Sequence, residues 1–182
     1  MAGNSYGILA GYDGSADSEQ ALSWAAREAL SRGTALTVCH AFGPGFPVPP
    51  GEDAILDLAR RRGERVILGG LRQAQNLMGT GEVRSVLGPG SAAAVLCESS
   101  QNAAMVVVGA RGCGGVAGLR LGSVSSQVAA HACGRVVVVH GHWRPAAGFV
   151  PGPIVVGANG SPPSHEALDF AFEEATLAAP WA

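Results

Sequence analysis

A chain of 182 residues, 47% apolar and only 14% charged, is long and apolar enough to bury a sizeable core, which excludes intrinsic disorder and allows one large domain or two small ones. Its formal charge of −2 gives no electrostatic basis for nucleic acid or an anionic membrane surface as partner. No apolar stretch approaches the ~20 residues that span a bilayer, and the N-terminus lacks the basic and apolar regions of an export signal, so a cytoplasmic location is expected.

Short β-rich runs alternate with longer helical patterns, the signature of a parallel sheet covered by helices on both faces. Strand one is expected over Tyr6 to Gly11. An amphipathic helix follows from Ser18 to Arg32, with Ala21, Leu22, Ala25, Ala29 and Leu30 inward and Gly33 as its stop. Ala35 to Ala41 reads as strand two, and the proline-rich run from Gly43 to Pro50 must be a loop. A long helix is expected from Glu52 to Met78. Its Arg60-Arg61-Arg62 cluster, with Arg65, sits among Asp53, Asp57 and Glu64 and reads as a solvated face. Strand three follows over Glu82 to Leu87, then a helix over Ser91 to Ser100. Strand four, Ala104 to Val108, is the continuous apolar run of a strand buried on both faces. The last helix of this series spans Ser123 to Ala132, ended by Cys133-Gly134, and strand five spans Arg135 to His140.

Between strand four and its helix lies a glycine-rich loop with glycines at 109, 112, 114, 115, 118 and 122. Such glycines allow φ > 0 and let backbone N–H groups approach an anion, and Ser123 is expected to cap a helix whose positive dipole end faces that anion. The spacing is not that of a Walker A loop, which needs a lysine absent here, nor of a compact Gly-x-Gly-x2-Gly dinucleotide fingerprint. Instead strand one ends in Gly11-Tyr12-Asp13-Gly14-Ser15, and the later loop reads Gly109-x2-Gly112-x9-Gly122-Ser123. Taken alone, Asp13-Gly14-Ser15 reads first as an Asp-Gly turn followed by a helix cap, and it is the later loop at matching spacing that favours the functional reading; the alternative for the glycine loop is a flexible connector.

Together these motifs resemble the ATP-binding branch of the universal stress protein family. The resemblance implies a Rossmann-like open sheet of five parallel strands in the order 3-2-1-4-5. That order brings the ends of strands one and four together at the topological switch point, where ligands bind. The expected domain is 1–143. By the same resemblance Asp13 meets adenine or ribose, with Gly11, Tyr12, Gly14 and Ser15 shaping the wall, and Cys39, His40 and Ala41 line the adenine edge. Gly109, Arg111, Gly112, Gly122, Ser123 and Val124 hold ribose and phosphates, with Ser125 as a further donor. The implied cofactors are ATP with Mg²⁺ or Mn²⁺, and the implied assembly is a homodimer.

The implied function is that of an ATP-binding stress-response sensor or regulator whose conformation or assembly follows the nucleotide. No carboxylate lies between Met105 and Gly134, so no catalytic residue is assigned, and at most slow ATP hydrolysis or autophosphorylation at Ser123 or Ser125 is expected. The alternatives are a nucleotide hydrolase of related fold, or a nucleotide-independent dimeric scaffold pairing through strand five.

Beyond a linker over 144–153, Ile154 to Ser161 repeats Ile8 to Ser15 at an offset of 146 residues, with Gly157, Gly160 and Ser161 on Gly11, Gly14 and Ser15. Ser164 falls on Ser18, and Phe170 on Trp24. Residues 154–182 are therefore expected to be the first strand and helix of an incomplete second copy, with Asn159 in place of Asp13. Cys39, Cys97, Cys113 and Cys133 have no metal-ligand spacing and are expected to stay reduced. Amides around Cys113 are expected to favour its thiolate. Arg120 is a second cation in the loop, His131 reads as a helix-end residue, and His140 with His142 lacks the companions of a metal site.

Overall fold

The structure, a computed structural model, describes residues 5–43, 49, 53–114, 120–140 and 152–178. The residues divide into two units, 1–143 and 144–182. In the first, strand β1 (Ile8–Gly11) is the centre of a five-stranded parallel sheet completed by β2 (Leu36–Phe42), β3 (Val83–Pro89), β4 (Met105–Gly109) and β5 (Arg135–Val139). The order is β3-β2-β1-β4-β5, as expected. Register sets Ile8 beside both Leu36 and Met105, so the ends of β1, β2 and β4 reach one rim together.

Helices α1 (Ala16–Ser31) and α2 (Asp53–Met78) pack together on one face of the sheet, and α3 (Ala92–Ser100) and α4 (Ser123–His131) on the other. This double cover explains why β1 and β4 are apolar throughout. Leu9, Cys39, Val106 and Val108 meet Val95, Leu96 and Val128 beneath α3 and α4, while Val38 faces α2. Helix α2 buries Gly63, Ile67, Gly70, Ala74 and Met78, one stripe at helical spacing. Its glycines are there for room. A Cβ on Gly70 would stand 2.8 Å from Tyr12 Cδ1, and one on Gly63 would stand 2.8 Å from Phe42 Cβ.

Helix α1 begins two residues before the expected Ser18, because Ser15 caps it by accepting from the Ser18 amide at 3.3 Å. Gly33, at φ +59°, ends it, and Gly134, at φ +79°, follows α4. Leu30, expected inward, is half exposed. The loop residues 44–48, Gly115, Gly118, His142 and most of the expected linker lie outside the described residues.

The second unit contains helix α5 (Pro162–Ala178), but the strand expected before it is not formed. Residues 152–159 carry no regular structure, and Val155 is 89% exposed. An isolated strand leaves its own backbone groups unpaired, so the same pattern that makes β1 in a sheet makes irregular chain here. The turn does repeat. Ser161 N–H donates to Asn159 Oδ1 at 3.0 Å and Ser164 Oγ to the Ser161 carbonyl at 2.8 Å. Ser15 with Asp13 and Ser18 with Ser15 make the same bonds at 3.0 and 2.9 Å.

Candidate functional site

The parallel order leaves a crevice at the C-terminal ends of β1, β2 and β4, and a cavity of about 430 Å³ lies there. Thirteen of the fifteen expected residues line it: Gly11, Tyr12, Asp13, Cys39, His40, Ala41, Gly109, Arg111, Gly112, Gly122, Ser123, Val124 and Ser125. Gly14 and Ser15 do not reach its wall. They build the turn that aims Asp13, with Gly14 at φ +80° and the Ser15 amide bound to Asp13 Oδ1.

Asp13 spans the two halves of the site. Its Oδ2 accepts from the Cys113 amide in the glycine loop at 2.8 Å, while Oδ1 holds its own turn. Partial burial works to raise its pKa, but bonds from Ser15, Cys113 and Ser18 outweigh burial and hold the carboxyl below its ordinary value. Four residues on, a second carboxylate does similar work. Asp17, 8% exposed, accepts from the Arg111 amide at 3.1 Å and from Arg111 Nε at 3.3 Å. The guanidinium assigned to phosphate is therefore anchored at its base, with half of its side chain open to solvent. Sequence reading missed Asp17, which is 94 residues from its partner and looks locally like any acid in a first helical turn.

The loop glycines correct the expected conformational role. None of Gly109, Gly112, Gly114 or Gly122 has positive φ. Space is the reason for two of them. A Cβ on Gly109 would lie 2.6 Å from the Asp17 carbonyl carbon, and one on Gly112 would lie 2.5 Å from Asp13 Oδ2. Ser123 does not cap α4 either. Gly122 holds the cap position without a side-chain bond, so the first-turn amides of α4, which no helical carbonyl satisfies, face the cavity that Ser123 and Val124 line. Ser125 is 3% exposed, and its hydroxyl donates to the Gly109 and Ala110 carbonyls at 2.7 and 3.1 Å. Its hydrogen is committed to the loop, which leaves the hydroxyl an acceptor toward any ligand.

At the other end, the Tyr12 amide donates to the Cys39 carbonyl at 2.8 Å, and His40 Nδ1 stands 2.7 Å from the Tyr12 carbonyl. A carbonyl only accepts, so Nδ1 carries a proton. Leu96, Val108 and Ala92, not anticipated in the sequence, make this end apolar. Burial, with charge from Glu19, Asp13 and Cys113, raises the Tyr12 phenol. The thiolate expected at Cys113 is not favoured: burial and the Asp13 charge push that thiol up. Arg120 and His140 are exposed, and no group of three His, Cys, Asp or Glu side chains suited to a metal occurs among the described residues.

The profile of the Universal stress protein family matches residues 7–140. A universal stress protein of Mycolicibacterium smegmatis is 36% identical over 181 residues, covering 94% of this chain; the chain spans 60% of that relative's length. Among solved structures, UspA from Lactobacillus plantarum superposes with TM-score 0.66 at 20% identity, covering 74% of this chain and 97% of its own. A universal stress protein in complex with cAMP gives TM-score 0.56 at 27% identity over 74% and 97% of the two chains. One from Archaeoglobus fulgidus in complex with dAMP gives 0.53 at 22% identity with the same coverage.

Proposed function

Because the chain belongs to the universal stress protein family, we propose that the crevice above β1 and β4 binds an adenine nucleotide, ATP with Mg²⁺ or Mn²⁺ in the fullest form of the reading, and that occupancy regulates conformation or assembly of a cytoplasmic homodimer. The observation that carries it is the pairing of opposite chemistries in one cavity. An apolar slot between Leu96, Val108 and Ala41 suits a base, and the N-terminal turn of α4 beside Arg111 suits phosphate. The neighbours crystallised with cAMP and dAMP bind adenine nucleotides, which supports adenine as the base.

In this arrangement Asp13 and Asp17 hold the glycine loop against the β1 turn, setting the distance between base and phosphate ends. The described residues offer no three-ligand cage, so a divalent ion would be held mainly through phosphate oxygens and water, as Mg²⁺ commonly is. Both carboxylates are engaged with backbone amides, so neither stands free as the base of rapid hydrolysis. The test is to denature freshly purified protein, identify released nucleotide by chromatography and mass spectrometry, and titrate the emptied protein with ATP, AMP and cAMP by calorimetry. An adenine nucleotide released or bound is the expected result. An empty protein that takes up none of the three overturns the reading in favour of a nucleotide-independent scaffold.

A further inference from the structure

Away from the cavity, the main chains of two of the four cysteines approach each other through one shared partner. Cys97 lies on α3, partly buried against the core beneath α3 and α4, and Cys133 is exposed in the turn joining α4 to β5. A single buried hydroxyl ties the two together: Ser100 Oγ donates to the Cys97 carbonyl at 2.6 Å and accepts from the Cys133 amide at 2.8 Å. Two hydrogen bonds through one atom bring the two main chains close, although 36 residues separate them along the chain. Burial, and then charge on Cys133, push the Cys97 thiol above its ordinary value. The other two cysteines differ: Cys39 is 2% exposed within the sheet, and Cys113 sits on the glycine loop beside Asp13.

We propose that Cys97 and Cys133 are a redox-modification site, forming a reversible intramolecular disulfide when the protein meets hydrogen peroxide. Cys133 is the accessible sulfur, and its thiolate attacks peroxide, breaking the O–O bond to give a sulfenic acid and hydroxide, which takes up a proton as water. The Cys97 thiolate then attacks the Cys133 sulfur; the S–S bond forms and the sulfenic hydroxyl leaves as a second water. Two thiols are oxidised and one peroxide is reduced to two waters. The bond would enclose β4, the glycine loop and α4 in one covalent loop, restricting the unfolded chain around the segment that carries the anion end of the cavity. The inference rests on the thiol pair alone and stands whether or not the cavity takes a nucleotide.

The test treats the full chain with stoichiometric hydrogen peroxide, alkylates the remaining thiols, digests the protein, and maps linked peptides by mass spectrometry. The expected result is a Cys97–Cys133 peptide pair in monomeric protein, lost on adding dithiothreitol. Cys97→Ser and Cys133→Ser should each abolish it, and Cys113→Ser should leave it intact. The oxidised protein should also unfold at a higher temperature than the reduced form. Finding Cys97 and Cys133 still alkylatable, or linked peptides that join Cys113 or two separate molecules, would overturn the proposal; an unchanged or lowered unfolding midpoint in the linked form would overturn the stapling role.

Discussion

Gly112 and Asp13 touch across the site, and the contact makes each residue's role measurable. In Gly112→Ala the added methyl meets Asp13 Oδ2 at 2.5 Å, so the carboxylate must swing away from the Cys113 amide. Nucleotide affinity measured by calorimetry is expected to fall by ~10-fold or more, equivalent to about 1.4 kcal/mol. Asp13→Asn tests the bonds themselves. The amide cannot accept from both the Ser15 and Cys113 N–H groups as a carboxylate does, and chemical denaturation should show a loss of about 1–2 kcal/mol near neutral pH. The sign of its pH dependence follows from the lowered pKa of Asp13. The native carboxylate contributes fully above the unfolded value of 3.8 and loses that contribution as pH falls through the lower folded value, so the variant should be the flatter of the two in that acid window. Cys39 predicts the opposite limb. Burial pushes its thiol from 9.0 to about 12, so between those values the unfolded chain ionises while the native one does not. Stability should fall there by about 1.4 kcal/mol per pH unit, and Cys39→Ala should remove that slope from alkaline denaturation curves.

Among the elements, α2 shows how glycine can stabilise a helix it ought to weaken. An exposed mid-helix Gly→Ala change gains about 1 kcal/mol from propensity, but at Gly70 the methyl meets Tyr12 Cδ1 at 2.8 Å and Val38 Cγ1 at 3.0 Å. Gly70→Ala is therefore expected to destabilise by roughly 1–3 kcal/mol in urea denaturation, and to disturb Tyr12 at the cavity wall. Helices and strands of the first unit were legible because burial on both faces of a parallel sheet writes itself as uninterrupted apolar runs such as Met105 to Val108. Most boundaries were off by a residue or two, where caps rather than apolar pattern decide the end, as at Ser15. Glycine positions of the site were visible in the sequence, but the reason for them was not, since φ and free space are both properties of the folded backbone. The Asp17–Arg111 anchor was hidden for a related cause, being a contact between distant segments with no local signature. The strand expected at 154–158 shows the limit most clearly: a pattern shared with β1 makes a strand only where a neighbour pairs with it.

At the scale of the molecule, every candidate ligand contact falls within the unit 1–143. A chain ending at Trp143 is expected to unfold in a single cooperative transition and to bind adenine nucleotide within ~3-fold of the full chain, a difference below about 1 kcal/mol, as checked by calorimetry of both proteins. Markedly weaker binding would instead assign part of the site to residues 144–182. The position of β1 carries a further consequence, one of timing. It pairs with β2 within about 30 residues of chain, but its other edge waits for β4, some 97 residues later, where Ile8 meets Met105. At a synthesis rate of about 5–20 residues per second, the bare edge persists for roughly 5–20 s on the ribosome. Through that interval the two halves of the crevice have not met. A ligand can therefore reward only the finished sheet, acting as a late lock on a nascent chain rather than as a seed for its folding.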